Sequence, residues 1–391
     1  MKKTIITISI ILIIITAGFL IYLWTRPQPV EDFEVVDLIA DNIQEIDGAE
    51  IIDEKLKILS QEEVLGYSIN PATKHIYIIN VLGEIKKIGG PEVEKISSQK
   101  IKGINSIKSS KDGRKILINF NYPNQSTFSI YNIIDSKWTP LSKNTLAADW
   151  HPENSNEIIY LNRNSLRILN LDRDKSRPVL NIHLTNSNLN WVSPSEVIII
   201  ERPSSKYISS AWLINLSTKR IEKITSGKGL IINQGGGWRL RSAYGVGDDS
   251  LSLIKAETNK VVSSFKFKTL ASKCMINQDN IYCAVPSQLP SNIILPDDYL
   301  SKAFMSNDII YSFNINTESQ LLESKIIYNE SDVIVDATDI KIVDDQLYFI
   351  NRYNQRLYSL KINKKAVEDV EDEVEGVEEG VEEEIIKEAS Q

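Results

Sequence analysis

The sequence predicts an all-β protein: a seven-bladed β-propeller with an N-terminal transmembrane helix and a disordered acidic C-terminal tail. Three observations carry this prediction. Apolar anchors at Ile69, Ile107, Trp150, Trp191, Ile232, Ile276 and Ile342 recur at spacings of 38, 43, 41, 41, 44 and 66 residues, and a period near forty is that of a four-stranded propeller blade. Each anchor is followed, after a polar turn, by a run rich in β-branched and aromatic residues. Charge and hydropathy separate the two ends of the chain from everything between them.

Residues 1–3 hold two lysines, and residues 4–24 follow with no charge at all. About twenty apolar residues suffice to cross a bilayer as a helix. The run lacks an A-x-A-like cleavage site and a lipobox cysteine, so it reads as an uncleaved signal anchor rather than a signal peptide. Lysines before it and Glu31, Asp32 and Glu34 after it favour residues 1–3 inside and the body outside. Tyr22 and Trp24 suit the aromatic interfacial belt, and Arg26–Pro29 (RPQP) ends the helix. Residues 25–54 form a juxtamembrane spacer, acidic and mixed in pattern.

The body is assigned to residues 55–363. The runs IYIIN (76–80), ILINF (116–120), IIYLN (158–162), VIIIE (197–201), WRLRS (238–242), IYCAV (281–285) and LYFIN (347–351) occupy one equivalent position, that of second strands. Several are apolar throughout, as strands covered on both faces are. Third strands follow, among them FSIYNI, SLRILNL, SAWLINL and RLYSLKI. The long last spacing is explained by an insertion, PSQLPSNIILPDDYLSKAFMSN (286–307), between the second and third strands of the sixth blade. Removing it restores a period of 44. The seventh blade ends near Ile362 with three strands. LKILS (56–60), before the first anchor, is expected to supply its outer strand and close the ring, which leaves no long open edge.

From residue 366 to 391 the chain carries 12 acidic residues and one lysine, leaving 43 basic and 40 acidic residues elsewhere. The acidic pI therefore describes the tail. A nearly neutral body gives no electrostatic reason to expect nucleic acid. Residues 364–391 read as a solvated tail. Val367, Val370, Val374, Val377, Val381 and Ile385 are nonetheless spaced by three or four residues, as on one helical face. That spacing supports a second reading, a segment that folds on a basic partner.

Few residues suggest chemistry. Cys274 and Cys283 flank a hairpin turn in KCMINQDNIYCAV, and counting outward from Gln278-Asp279 places them opposite each other. Such non-hydrogen-bonded pairs bring Cα atoms within disulfide range. With the body outside the cell a disulfide is the expectation, two reduced buried thiols the alternative. No metal site is expected, since no second Cys or His pair accompanies them. Asp297, Asp298 and Tyr299 in the insertion offer hydrogen bonds or a cation ligand. The alternative is a loop packed over one face, with Asp297 capping a short helix that starts at Asp298. NQGGG (233–237) lacks the GK[ST] of a P-loop and is a turn. GVGDDS (245–250) lacks calcium-loop spacing. His75, His151 and His183 fall in separate repeats, as turn or surface residues. Trp150 and Trp191 share one repeat position, which points to core packing. No cofactor and no catalytic residue is assigned.

SSKDGRKILINF (109–120) and DWHPENSNEIIYL (149–161) resemble the W-S-P-D-G-x-x-I repeats of TolB-like and WD40-like propellers. The second unit lacks the DG, and NWVSPS (190–195) keeps part of the pattern. LKILSQEEVLGY (56–67), CMINQDNIYCAVP (274–286), LPDDY (295–299) and SNDIIYSFNI (306–315) resemble a family of membrane-anchored TolB/WD40-like propellers of small-genome bacteria. That resemblance spans roughly residues 55–363 and implies a propeller outside the membrane, with no particular activity. TolB itself carries a further domain that this chain lacks. The expected function is thus a non-enzymatic, membrane-anchored extracytoplasmic scaffold for a protein or cell-envelope partner. The alternative is a glycan- or peptide-acting enzyme, or a ligand-binding module, using the funnel at the ring centre. Carboxylates and histidines converging on that funnel would favour the alternative.

Overall fold

A computed structural model describes Glu50, Ile51 and residues 56–362, apart from 90–92, 98, 123–125, 245–249, 316–321 and 330–332. The expected membrane span at 4–24, most of the spacer, the turn residues Asp248 and Asp249, and the acidic tail lie outside the described residues. Among the described residues no helix is long and apolar enough to cross a membrane.

Among the described residues there are seven sheets, six of four strands and one of five. All seven anchors fall on the first strand of a blade: Val64–Ile69, Ser106–Ser109, Thr145–Trp150, Ser187–Ser193, Ile231–Gly235, Cys274–Asn277 and Ala337–Val343. Their neighbours, from Ile76–Asn80 round to Gln346–Asn351, are the second strands. These second strands are the most apolar because each is sandwiched between two blades. Ile78, Ile79, Ile118, Ile159 and Ile199 are fully buried, and each contributes on the order of 1.5–3 kcal/mol of burial.

Blade packs on blade around the ring. Ile79 and Ile85 of the first blade pack with Ile116 and Ile118 of the second. Leu117 and Ile130 of the second pack with Trp150 and Ile158 of the third. Between the fifth and sixth blades the filling is aromatic: Phe265 lies 5.1 Å from Phe313, edge to face, and Phe267 stacks on Tyr311 at 6.1 Å. The ring closes where Val64, Tyr67 and Ile78 of the first blade meet Tyr348, Ile350 and Leu357 of the seventh. Tyr67 donates its hydroxyl to the Tyr348 carbonyl at 3.0 Å, and the Lys341 ammonium sits 4.0 Å above its ring. Leu56–Ile58 pairs antiparallel with Arg356–Lys361 as the outer strand of the seventh blade, so a strand from before the first blade completes the last one.

One strand was not anticipated. Within the segment expected as a spacer, Glu50–Ile51 runs parallel to Leu322–Tyr328 and adds a fifth strand to the sixth blade. The sixth blade also carries the hairpin Cys274–Asn277 and Asn280–Pro286, in which Cys274 faces Cys283. A disulfide joins the two, with Cα atoms 4.1 Å apart. The DG turn at Asp112-Gly113 has a packing reason. Gly113 has φ +67°, and a Cβ there would lie 2.1 Å from the Ile69 carbonyl of the first blade.

Candidate functional site: a strap over one face of the ring

In each blade, the loop between second and third strands and the linker from the outer strand to the next blade lie on the same face. The insertion 286–307 belongs to that face, and it touches four blades. The Asp297 carboxylate accepts the Ser205 backbone N–H at 3.1 Å, reaching the fourth blade. Pro296 packs on Gly229, between the fourth and fifth blades. Leu295 and Phe304 pack with Tyr244 and Leu270 of the fifth. Tyr299 lies between the sixth and seventh. The insertion is thus a strap lying across the loops of blades four to seven.

Its fixed point is a buried group of charges. Lys273 immediately precedes the first strand of the sixth blade, and Asp336 that of the seventh; Asp308 opens the third strand of the sixth. The Lys273 ammonium lies 2.7 Å from Asp308 Oδ2 and 2.9 Å from Asp336 Oδ1. It donates a third bond to Ser306 Oγ at 2.7 Å. The Arg352 guanidinium is 2.8 Å from Asp336 Oδ2, donates to the Tyr299 carbonyl at 3.0 Å and lies 3.8 Å above the Tyr299 ring. Backbone N–H groups of Ser306 and Ala337 complete the two carboxylates. Two cations meet two anions, and the ammonium's three protons all have acceptors.

Burial alone would lower the Lys273 pKa, but Asp308, Tyr299 and Asp336 outweigh it and raise the pKa above lysine's ordinary value. Burial pushes the Tyr299 hydroxyl up to about 12. A buried ion group stabilises only when it is fully paired and hydrogen-bonded, as this one is. Its chemistry is that of a clamp: the Lys273 ammonium and both carboxylates are bonded to groups of the protein itself.

No family model matches the chain, and no curated protein does. Solved structures do. The chain is similar to the WD40 repeats of RRP9, with TM-score 0.52, 9% identity, and coverage of 80% of this chain and 100% of that one. It is similar to YCF48 bound to D1 peptide, with TM-score 0.53, 10% identity, and coverage of 81% and 98%. It is also similar to U3-55K, with TM-score 0.50, 9% identity, and coverage of 78% and 98%. The likeness is one of fold.

The residues singled out from sequence fall as follows. Asp297, Asp298 and Tyr299 are all engaged within the protein. The helix is Asp297–Leu300, with Pro296 at its N-cap and no side-chain cap. The expected cap by Asp297 is therefore corrected, because its carboxylate is held by Ser205 instead. Asp298 accepts the Ile294 N–H at 2.7 Å, and Tyr299 is buried in the clamp. His75 and His151 lie in turns between first and second strands, on the face away from the strap, and His183 in the linker before the fourth blade. Among the described residues none of the three hydrogen-bonds to Asp308 or Asp336, whose partners are Lys273, Arg352 and backbone N–H groups. Among the described residues no group of three or more His, Cys, Asp or Glu is placed to hold a metal.

Sequence reasoning missed Lys273, Asp308, Asp336 and Arg352. Lys273 lies three residues before the anchor Ile276 and Asp336 six before Ile342, so the repeat does not mark them as a pair.

Several large apolar side chains stay exposed on the strap face. Tyr207, Ile208, Ile294, Leu300, Ile334 and Tyr353 are each 45–73% exposed, and all lie on the strap or in loops of the strap face. On the opposite face Val93, Ile134, Ile221 and Val261 are also exposed, but singly, one to a blade. Single exposed apolar residues need no explanation, whereas contiguous exposed patches are a feature of interaction surfaces.

Proposed function

We propose that this chain is a membrane-anchored extracytoplasmic scaffold that binds a protein or envelope partner through the strap face of its propeller. The concentration of exposed apolar side chains on that face carries the reading. The clamp under Tyr299 supports it, since a rigid platform lowers the ordering cost of binding. YCF48, of similar fold, is described bound to a D1 peptide, so a peptide or protein ligand is compatible with such a ring. The anchor rests on the uncharged run at 4–24, with lysines before and carboxylates after it.

Photo-cross-linkers at Tyr207 and Leu300, compared with one at Ile134 on the other face, test the surface in intact cells. The expected result is one discrete protein adduct from the first two positions only, abolished by Leu300→Asp. Equal adducts from both faces would remove the reading. For the anchor, protease added outside spheroplasts is expected to degrade the body; protection of the body would place it in the cytoplasm.

A further inference from the structure

We propose that the strap face also takes an occupant from within the molecule: the acidic segment 366–391. This rests on the strap face being a docking surface and names one chemistry that it recognises.

The face combines apolar side chains with exposed cations. Arg202 and Lys206 precede Tyr207 and Ile208 in the same loop, Lys228 ends the outer strand of the same blade, and Lys302 lies two residues after Leu300. Among the described residues no carboxylate lies within ion-pairing distance of these four cations. The described carboxylates nearby are already bonded. Glu201 accepts the Ser210 N–H at 2.8 Å, Asp297 is held by Ser205, Asp298 by Ile294, and Asp308 and Asp336 belong to the clamp. Asp248, Asp249, Glu330 and Asp332 belong to segments outside the described residues.

Residues 366–391 present the complementary pattern. Val367, Val370, Val374, Val377, Val381 and Ile385 recur every three or four residues, with 12 carboxylates between and around them. Apolar side chains at that spacing form one helical face, and the carboxylates would meet the cations beside it.

The chain's route permits the contact. Arg356–Lys361 starts opposite Asn351, at the strap face, and ends opposite Gln346, at the other face. The segment after Ile362 therefore sets out from the far side of the seventh blade. Residues 363–391 reach up to about 95 Å when extended, whereas a six-residue strand is only about 20 Å long. The segment can pass round the rim of the seventh blade to Tyr353 and Ile334. Once there it competes with any external partner for the same surface.

Carbodiimide cross-linking of the full chain in lipid nanodiscs, followed by peptide mapping, tests this. The reagent joins a carboxylate directly to a lysine amine with loss of water. The expected links run from 366–391 to Lys206, Lys228 and Lys302. Their yield should be unchanged by a dilution of about tenfold, as befits an intramolecular contact. Most should disappear at about 0.5 M salt, where exposed charges are screened. Charge reversal in the tail, with Glu378, Glu379, Glu382 and Glu383→Lys, should remove them without touching the ring. Links only to Lys74, Lys111 or Lys219 on the other face would overturn the proposal. Links whose yield falls with dilution would overturn it too, by placing the segment on a second copy. Absence of links with the Tyr207 and Leu300 photo-adducts retained overturns this inference and spares the docking face; loss of both overturns both.

Discussion

Lys273 carries a full charge at a position 1% exposed, and the structure tolerates it because Asp308 and Asp336 are equally buried beside it. Removing one partner of such a group strands the others. Lys273→Met is therefore expected to destabilise the ring by roughly 3–5 kcal/mol, read from denaturant unfolding. The pKa of Lys273 is raised in the fold, so its contribution is complete below lysine's ordinary value of 10.5 and is lost as pH rises through the folded value. The gap between parent and variant should hold from neutral to mildly alkaline pH and narrow only above that. His151 behaves in the opposite sense. Burial lowers its pKa below 6.5, and its Nδ1 accepts backbone N–H groups of Glu153 and Asn154 at 3.0 Å, which holds the ring neutral. Its contribution is complete above pH 6.5 and falls away as pH drops through the folded value. An NMR titration midpoint above 6.5 would contradict this account.

The strap is an element with no regular structure beyond one helical turn, so its position depends on its pins. Gly229 is one of them. It has φ +61°, and a Cβ there would come within 2.7 Å of Pro296 Cδ. Gly229→Ala is expected to cost more than about 1 kcal/mol and to expose Leu295 and Phe304 to hydrogen exchange or proteolysis ahead of the blades. The hairpin beneath is pinned by Cys274 and Cys283. Nonreducing peptide mapping is expected to yield one linked peptide pair, and Cys283→Ser to cost roughly 2–3 kcal/mol. Free thiols on both peptides would refute the bond. At this scale the sequence is legible wherever one strand follows another. Predicted second strands match the observed ones to within a residue, because a strand covered on both faces shows itself as an unbroken apolar run. The strap is less legible. Asp297 looks like a helix cap from its neighbours, and only the fourth blade, 92 residues earlier in sequence, supplies the Ser205 donors that claim it.

As a whole molecule the ring is held by its closure. Leu56–Ile58 lies near one end of the described residues and Arg356–Lys361 near the other, and their pairing removes the edge that an open ring would present. Deleting residues 56–60 is expected to replace one cooperative unfolding transition with a broader or stepwise one, followed by circular dichroism, and to promote association through the uncovered edge. An unchanged single transition would show that the seven packed interfaces suffice without the strand. The charge of the body illustrates what totals conceal. Its near-neutral sum is correct, yet beside the strap Glu201, Asp297, Asp298, Asp308 and Asp336 are bonded within the protein while Arg202, Lys206, Lys228 and Lys302 are exposed.

The amino-acid order by itself determined the all-β class, the seven-fold repeat and the strand that closes it. Those depend on hydrophobic periodicity, which is local and repeats itself along the chain. Tertiary structure alone decided that Lys273, Asp308, Asp336 and Arg352 meet, that the strap crosses four blades, and that exposed apolar residues gather on one side. These are relations between distant repeats. A charged or apolar residue in a loop carries no mark of which neighbour the closing of the ring will bring to it.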